Sequence, residues 1–160
     1  AGGLAAARMM AMVSCRSRPS FEARFGRDRM PEDGQTFAME SYLRYQGEKL
    51  VNRFDANCYV RLTQQMDTHD VARGRGDYTD VLRSITQPAL VVGIDSDVLY
   101  PVEEQHELAQ YMPNAQLQIV HSIHGHDAFL IEFEALDALI RPWMELTLER
   151  YCPAAVRAYL

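Results

Sequence analysis

Along the first half of the chain, apolar residues recur at the three- and four-residue spacing that is typical of amphipathic helices. A first helix is predicted to begin after Gly2-Gly3 and to end near Ser14–Ser17. Stretches rich in Gly, Pro and Asp then break the pattern, as turns and loops do. The spacing predicts further helical segments over residues 21–25, 37–53, 55–66 and 78–84.

The pattern changes at Gln87. A continuous apolar run rich in β-branched residues follows, which is typical of a strand buried on both faces of a parallel sheet. After it come an amphipathic helix that begins after Pro101, a second strand, a loop rich in His and Gly, and a long helical pattern that Pro142 interrupts or kinks. The predicted bounds of these elements are residues 88–94, 102–112, 115–120, 121–127 and 129–148.

This β-α-β-α order predicts the α/β class, with part of a doubly wound parallel sheet. Residues 1–85, which are nearly all helical, are interpreted as a cap or lid on that sheet, and residues 86–160 as the C-terminal part of the sheet core. In such folds the reactive groups lie in loops at the carboxyl ends of the strands. The two loops after the predicted strands are therefore where chemistry is expected.

Composition places the chain among soluble globular proteins, since 48% of its 160 residues are hydrophobic and 24% are charged. Its 16 basic and 22 acidic residues give a net charge of −6, which disfavours a nucleic acid or an anionic membrane as partner. The three cysteines are widely spaced and form no C-x-x-C pair, which indicates a reducing, cytoplasmic setting. No apolar run reaches the roughly 18–20 residues that cross a bilayer.

An acid and a histidine follow the two predicted strands. Asp97 comes after the first strand and His126, 29 positions later, after the second, so both are expected at one edge of the sheet. An acid that orients an imidazole is two thirds of a Ser-His-Asp relay, and the order acid then histidine is that of α/β-hydrolases. Asp95 competes for the acid role, and His121 and His124 compete for the base role, but only His126 follows a glycine.

No nucleophile accompanies this pair in the sequence. The chain contains no G-x-S-x-G elbow, its serines lie in helical, loop or capping contexts, and Cys15 is predicted to be a buried structural thiol on the first helix. We therefore expect the nucleophile upstream of Ala1. No metal site is expected, since His69 has flanking acids but no second histidine nearby, and Gly74-Arg75-Gly76 is interpreted as a turn.

Several strings along almost the whole chain closely resemble the homoserine O-acetyltransferase family. Two of them are Ser-Asp-Val-Leu-Tyr-Pro at 96–101 and Gly-His-Asp at 125–127, and the others cover residues 7–17, 21–25, 40–47, 54–57 and 66–70. Several motifs in the right order are more specific than any single one. The resemblance identifies the chain as the C-terminal portion of such a protein, including its helical cap, with the α/β-hydrolase fold.

The resemblance implies an acyltransferase of methionine biosynthesis. Such an enzyme moves an acetyl group from acetyl-CoA, a co-substrate, to the hydroxyl of L-homoserine through an acyl-serine intermediate, with no further cofactor. The family pattern makes Asp97 the acid and His126 the base, and it places Asp127 and Arg8 in the substrate site. Cys15 stands where an aromatic residue is common. The resemblance also implies a homodimer through the helical cap.

Alternative interpretations remain open at this point. Arg8 could form an ion pair within the cap, and Asp127 could cap a helix that begins at Ala128. The protein could be a hydrolase of the same superfamily, a non-catalytic interaction module, or an acyltransferase that uses a succinyl donor or serine as acceptor. Without further strands, the chain alone is expected to be inactive and poorly soluble, because its sheet would have an open apolar edge.

Overall fold

The computed structural model describes residues 2–151, and its first half is helical as predicted. Cys152 and the rest of the C-terminal end of the predicted core lie outside the described residues. No helix among residues 2–151 is long and apolar enough to span a membrane. The helices of this half are α1 Gly2–Ser14, α2 Arg18–Arg24, α3 Ala38–Val51, α4 Ala56–Asp67 and α5 Tyr78–Arg83.

Side-chain caps fix where three of these helices begin. The carboxylate of Asp55 accepts hydrogen bonds from the backbone N–H groups of residues 57 and 58, and that of Asp77 from residues 79 and 80. Ser17 caps α2 in the same way, so this helix begins at Arg18 and includes most of the helical segment predicted over residues 21–25. Each cap satisfies backbone donors that the first helical turn leaves unpaired.

Helices α1 and α3 pack closely against each other. Leu4 and Met12 of α1 and Leu50 of α3 are buried. The backbones approach closely at Gly47, where an added Cβ atom would lie 3.0 Å from the carbonyl oxygen of Ala5. Gly47 therefore allows a contact that any larger residue would push apart.

The second half contains two parallel strands joined by a helix. Strand β1 is Ala89–Ile94, helix α6 is Val102–Tyr111 and strand β2 is Ala115–Val120. The strands pair in register, with Ile94 opposite Val120 at their carboxyl ends. The loops that follow them therefore lie side by side. The first four residues of β1 are only half-buried, not buried on both faces as predicted, because residues 2–151 place a single strand beside it.

The end of the chain differs from the expected loop and helix. A 3₁₀ helix covers Gly125–Leu130, and the last helix, α7, runs from Phe133 to Tyr151 instead of beginning at Phe129. Ala128 is fully buried in a small core with Ile94 and Val120, and α7 packs on this core. Helix α7 continues through Pro142 without interruption, although proline removes one backbone donor.

Candidate functional site

The two loops at the carboxyl edge of the sheet bring Asp97 and His126 together. Nδ1 of His126 lies 2.9 Å from Oδ2 of Asp97, which is hydrogen-bonding distance. The Asp97 side chain is 6% exposed and that of His126 is 27% exposed. The predicted acid and base are therefore adjacent, shielded by protein on the acid side and accessible on the histidine side.

Backbone groups hold the Asp97 carboxylate in its orientation. Its Oδ1 accepts hydrogen bonds from the N–H groups of Leu99, at 2.8 Å, and Tyr100, at 3.0 Å. These bonds close the turn after β1, as Asp commonly does in such turns. The second oxygen, Oδ2, is left to face the imidazole. One carboxylate thus both closes the turn and orients the histidine.

Two aromatic rings flank the imidazole of His126. The ring centroids of Tyr100 and Phe129 lie 5.1 Å and 5.5 Å from that of His126. Because Nδ1 faces a carboxylate, a neutral His126 carries its proton on Nδ1. Its other nitrogen, Nε2, has no hydrogen-bond partner among residues 2–151. The geometry therefore presents Nε2 as a proton acceptor.

A cavity of about 270 Å³ adjoins this pair. It lies between β1, the 3₁₀ helix and α6, and both Asp97 and His126 line it. Phe129 and Tyr100 supply apolar wall beside the imidazole. A concave site with a few polar groups on an otherwise apolar wall is the usual form of a small-molecule site.

The competing residues have other partners. Nδ1 of His121 lies 2.8 Å from Oδ2 of Asp95, and these side chains are 83% and 41% exposed. The N–H of Ser122 and the His121 side chain both stabilise the charged form of Asp95, which lowers the pKa of this carboxyl. Nδ1 of His124 lies 2.8 Å from the hydroxyl of Ser20 and faces no acid.

Asp127 does not cap a helix at Ala128, because the 3₁₀ helix begins earlier, at Gly125. Instead, its Oδ2 accepts a hydrogen bond of 2.8 Å from Nε of Arg16. Arg8 makes no ion pair or side-chain hydrogen bond within residues 2–151, so the ion pair considered for it inside the cap is not found there. Arg16 could not be predicted as the partner of Asp127, since 111 positions separate the two residues and no local pattern connects them.

Cys15 lies at the end of α1, beside these charged groups. Burial is the largest of the causes that raise the pKa of its thiol, and the negative charge of Asp127 raises that pKa further. The positive charges of Arg8 and Arg16 lower the pKa of the thiol, and the negative charge of Asp97 raises it. Together these influences raise the pKa of the thiol above its ordinary value, and Cys15 is half-buried just after the end of α1 rather than buried on the helix as predicted.

No serine or cysteine among residues 2–151 is hydrogen-bonded to His126. The serines nearest to it in sequence bond elsewhere, Ser96 to the carbonyl of Ser122 and Ser122 to Glu132. The same part of the chain contains no group of three or more His, Cys, Asp or Glu side chains that could hold a metal ion. The described residues thus supply an acid and a base but no nucleophile.

Comparison with known proteins identifies close relatives, although no protein-family model matches the chain. A Salinibacter ruber protein named homoserine O-acetyltransferase is 68% identical over 142 residues, which are 88% of this chain and 40% of that protein. A Chloroherpeton thalassium protein of the same name is 61% identical over 138 residues, 86% of this chain and 36% of that protein. The resemblance to homoserine O-acetyltransferases is confirmed, and the chain spans about two fifths of these relatives' length.

Solved structures agree on the fold. A homoserine O-acetyltransferase from Staphylococcus aureus matches with a TM-score of 0.64 and 31% identity, over 82% of this chain and 38% of that one. The structure of esterase E22 matches with a TM-score of 0.72 and 22% identity, over 88% of this chain and 41% of that one. The predicted α/β-hydrolase fold is confirmed.

Proposed function

We propose that this chain supplies the acid, the base and the acceptor-binding residues of an acyltransferase that moves an acetyl group from acetyl-CoA to the hydroxyl of L-homoserine. The observation that carries the proposal is the shielded Asp97–His126 pair, with Nε2 of His126 directed away from the acid. The names of relatives at 61% and 68% identity supply the reaction. The reaction is a step of methionine biosynthesis, which we place in the cytoplasm.

The first half-reaction acylates a serine from outside these 160 residues. Nε2 of His126 takes the proton of the serine hydroxyl as its oxygen attacks the thioester carbonyl of acetyl-CoA. The resulting imidazolium returns that proton to the departing CoA sulfur, so CoA leaves as a thiol and the acetyl group stays on serine. Asp97 holds the ring and stabilises its positive charge throughout.

The second half-reaction transfers the acetyl group to homoserine. His126 takes the proton of the homoserine hydroxyl, whose oxygen attacks the acyl-serine carbonyl, and then returns the proton to the serine oxygen. Asp127, next to His126, binds the α-ammonium group, and Arg8 binds the α-carboxylate.

We also propose a homodimer through the helical cap. In support, α3 and α4 expose large apolar side chains, among them Tyr45, Val60, Leu62 and Met66. Leu62→Glu in the full-length protein, meaning this chain with any natural sequence that adjoins it, should convert dimer to monomer in light scattering. The exposed substitution Gln65→Glu on the same helix is the matched control, and a monomeric wild-type protein would contradict the dimer.

The decisive experiment measures acyl transfer by the full-length protein. Acetyl-CoA and succinyl-CoA are each combined with homoserine, with serine or with no acceptor, and CoA release and acylated product are measured. Transfer of acetyl to homoserine that exceeds hydrolysis and every other combination supports the proposal. Hydrolysis that exceeds transfer indicates an esterase, and an absence of CoA release with every combination indicates an interaction module.

A chimera provides a second route to the same answer. This chain replaces the 142 matched residues of the Salinibacter ruber relative, at 68% identity. The chimera should retain acetyl transfer to homoserine if Asp97, His126, Asp127 and Arg8 have the proposed roles. An inactive but folded chimera would show that the chain lacks one of them.

A further inference from the structure

The segment between α1 and α2, together with the first turn of α2, is hydrogen-bonded to the loop that carries His126. We name residues 15–20 the clip and residues 123–127 the histidine loop. The backbone N–H of Asp127 donates to the carbonyl of Cys15 at 2.9 Å, and the hydroxyl of Ser17 donates to the carbonyl of Ile123. These contacts join two parts of the chain that lie more than 100 positions apart. The helical region therefore holds the loop in place from outside the sheet.

Gly125 allows this close contact. Its φ angle of +65° lies in the left-handed region that favours glycine. A Cβ atom there would also lie 3.0 Å from the carbonyl carbon of Arg16 and 3.1 Å from the backbone nitrogen of Ser17. The glycine before His126 is thus required by the approach of the clip as well as by the turn itself.

The side chain of Arg16 connects the clip to the histidine loop. Its Nε donates to Oδ2 of Asp127 at 2.8 Å, and its Nη1 donates to the hydroxyl of Ser20 at 3.2 Å. The Ser20 hydroxyl in turn lies 2.8 Å from Nδ1 of His124. The side chains of Arg16 and Asp127 are only 14% and 16% exposed, so this ion pair is shielded from water far more than those on the helix surfaces.

We propose that Arg16 is a positioning residue for the acceptor, which it aligns through Asp127. This inference rests on the proposed function, in which Asp127 binds the α-ammonium group of homoserine. Arg16 bonds to Oδ2 alone, and Oδ1 of Asp127 has no hydrogen-bond partner among residues 2–151. One oxygen is therefore fixed by the protein while the other remains able to receive a cationic group.

The same geometry separates the two half-reactions. His126 is held by Asp97 and by the flanking rings of Tyr100 and Phe129, none of which contacts Arg16 through a hydrogen bond. Loss of Arg16 should therefore leave acylation of the serine largely intact. It should weaken the use of homoserine, because the Asp127 carboxylate loses the donor that fixes its direction.

The experiment compares Arg16→Ala with Arg18→Ala in the full-length protein. Arg18 is two residues away, 89% exposed and paired only with Glu22 on its own helix, so it is a matched control. Arg16→Ala should raise the KM for homoserine about tenfold or more. It should change the burst of CoA release from acetyl-CoA by less than about threefold, and Arg18→Ala should change neither quantity.

Two additional variants test whether Arg16 acts through its charge and through Asp127. Arg16→Gln retains a donor without charge and should raise the KM for homoserine about threefold or more, even if Arg16→Ala fails to fold. In an Asp127→Asn background, Arg16→Ala should raise that KM by less than about twofold further, because Arg16 acts through Asp127. Multiplicative effects in this double variant would show that Arg16 acts by another route.

The outcomes also separate this inference from the proposed function. A lower melting temperature with an unchanged homoserine KM, in Arg16→Ala or in Arg16→Gln, overturns the positioning role while the proposed function stands. A wild-type protein that does not transfer acetyl to homoserine overturns both. An abolished CoA burst in a folded Arg16→Ala protein assigns Arg16 to His126 instead of the acceptor, which also contradicts the inference.

Discussion

Two aspartate–histidine pairs lie side by side at one edge of the sheet, and only one of them has the surroundings of a catalytic relay. Asp97 pairs with His126 at 2.9 Å, and Asp95 pairs with His121 at 2.8 Å. In both pairs the acid follows β1, the histidine follows β2 and Nδ1 faces Oδ2. Residue types, chain order and distance are therefore nearly the same.

The difference lies in what surrounds each pair. His121 is 83% exposed, so its ring is free to turn and its interaction with Asp95 is weakened by water and salt. Asp97 is almost fully buried and fixed by two backbone N–H groups, and the ring of His126 is flanked by two aromatic side chains. A hydrogen bond of the right length between an aspartate and a histidine is thus not enough to form a catalytic relay. Fixed orientation and exclusion of water distinguish the relay from a surface ion pair.

The largest expected effect is a loss of kcat, and the same substitutions in the two pairs test it. In the full-length protein, Asp97→Asn and His126→Ala should each lower kcat for acetyl transfer roughly 10³-fold or more, because a relay that loses one member loses most of its rate. The matched variants Asp95→Asn and His121→Ala should change kcat by less than about threefold, because the exposed pair lies outside the proposed relay. Steady-state kinetics of all four variants would test this.

Equal losses of kcat in Asp95→Asn and Asp97→Asn would show that the acid is misassigned. A large loss at His121 would indicate that the exposed pair carries protons after all. Circular dichroism of each variant should match that of the wild-type protein, so that a loss of rate is not a loss of fold.

The next effect concerns Asp127, the residue that follows His126. Asp127→Asn should leave the burst of CoA release from acetyl-CoA nearly intact while it raises the KM for homoserine roughly 10- to 100-fold, because a charge-assisted bond to the acceptor is worth about 1.5–3 kcal/mol. His121→Ala, in the exposed pair, is the control. Rapid-quench measurement of CoA and the homoserine dependence of transfer, on one preparation, separates the two half-reactions. An abolished burst or an unchanged KM would contradict acceptor binding by Asp127.

The two pairs should also differ in their contribution to stability. Asp97→Ala leaves the N–H groups of Leu99 and Tyr100 without their part-buried acceptor, which should cost about 1–3 kcal/mol of unfolding free energy. Asp95→Ala removes contacts at the surface and should cost no more than about 0.5 kcal/mol. Thermal unfolding of both variants checks the order, and an equal or larger loss for Asp95→Ala would contradict it.

Much of this comparison could be predicted from the sequence, because it depends on local signals. The apolar run before Asp95 and Asp97 predicts a strand, and the chain order places those acids and the histidines at one edge. The glycine before His126 singles out the histidine that the structure pairs with the buried Asp97. These inferences need only hydrophobic spacing and the geometry of parallel strands.

Other features could not be predicted, because they depend on contacts between distant parts of the chain. The 3₁₀ helix at Gly125–Leu130 forms where Ala128 is buried against both strands, which no helical periodicity reveals. The Arg16–Asp127 ion pair joins residues 111 positions apart. Within the chain, the sequence offers Asp127 only a local partner, a helix beginning at Ala128, and the structure does not contain that cap.

The smallest expected effect tests the exposed pair by titration. The pKa of Asp95 is lowered from its ordinary value of 3.8 in the folded protein, chiefly by the hydrogen bond from the N–H of Ser122 and then by His121. A carboxyl with a depressed folded pKa adds stability above its unfolded pKa and loses that contribution as the pH falls through its folded pKa. The difference in unfolding free energy between wild type and Asp95→Asn should therefore be largest above about pH 4 and shrink below it.

Because the side chain of Asp95 is 41% exposed, solvent screening should hold this difference to about 0.5 kcal/mol or less. Urea unfolding at several pH values between about 3 and 7 measures it, and high salt should reduce it further. A difference that grows with acidification would contradict this assignment, because it would mean that folding raises the pKa of Asp95 instead of lowering it.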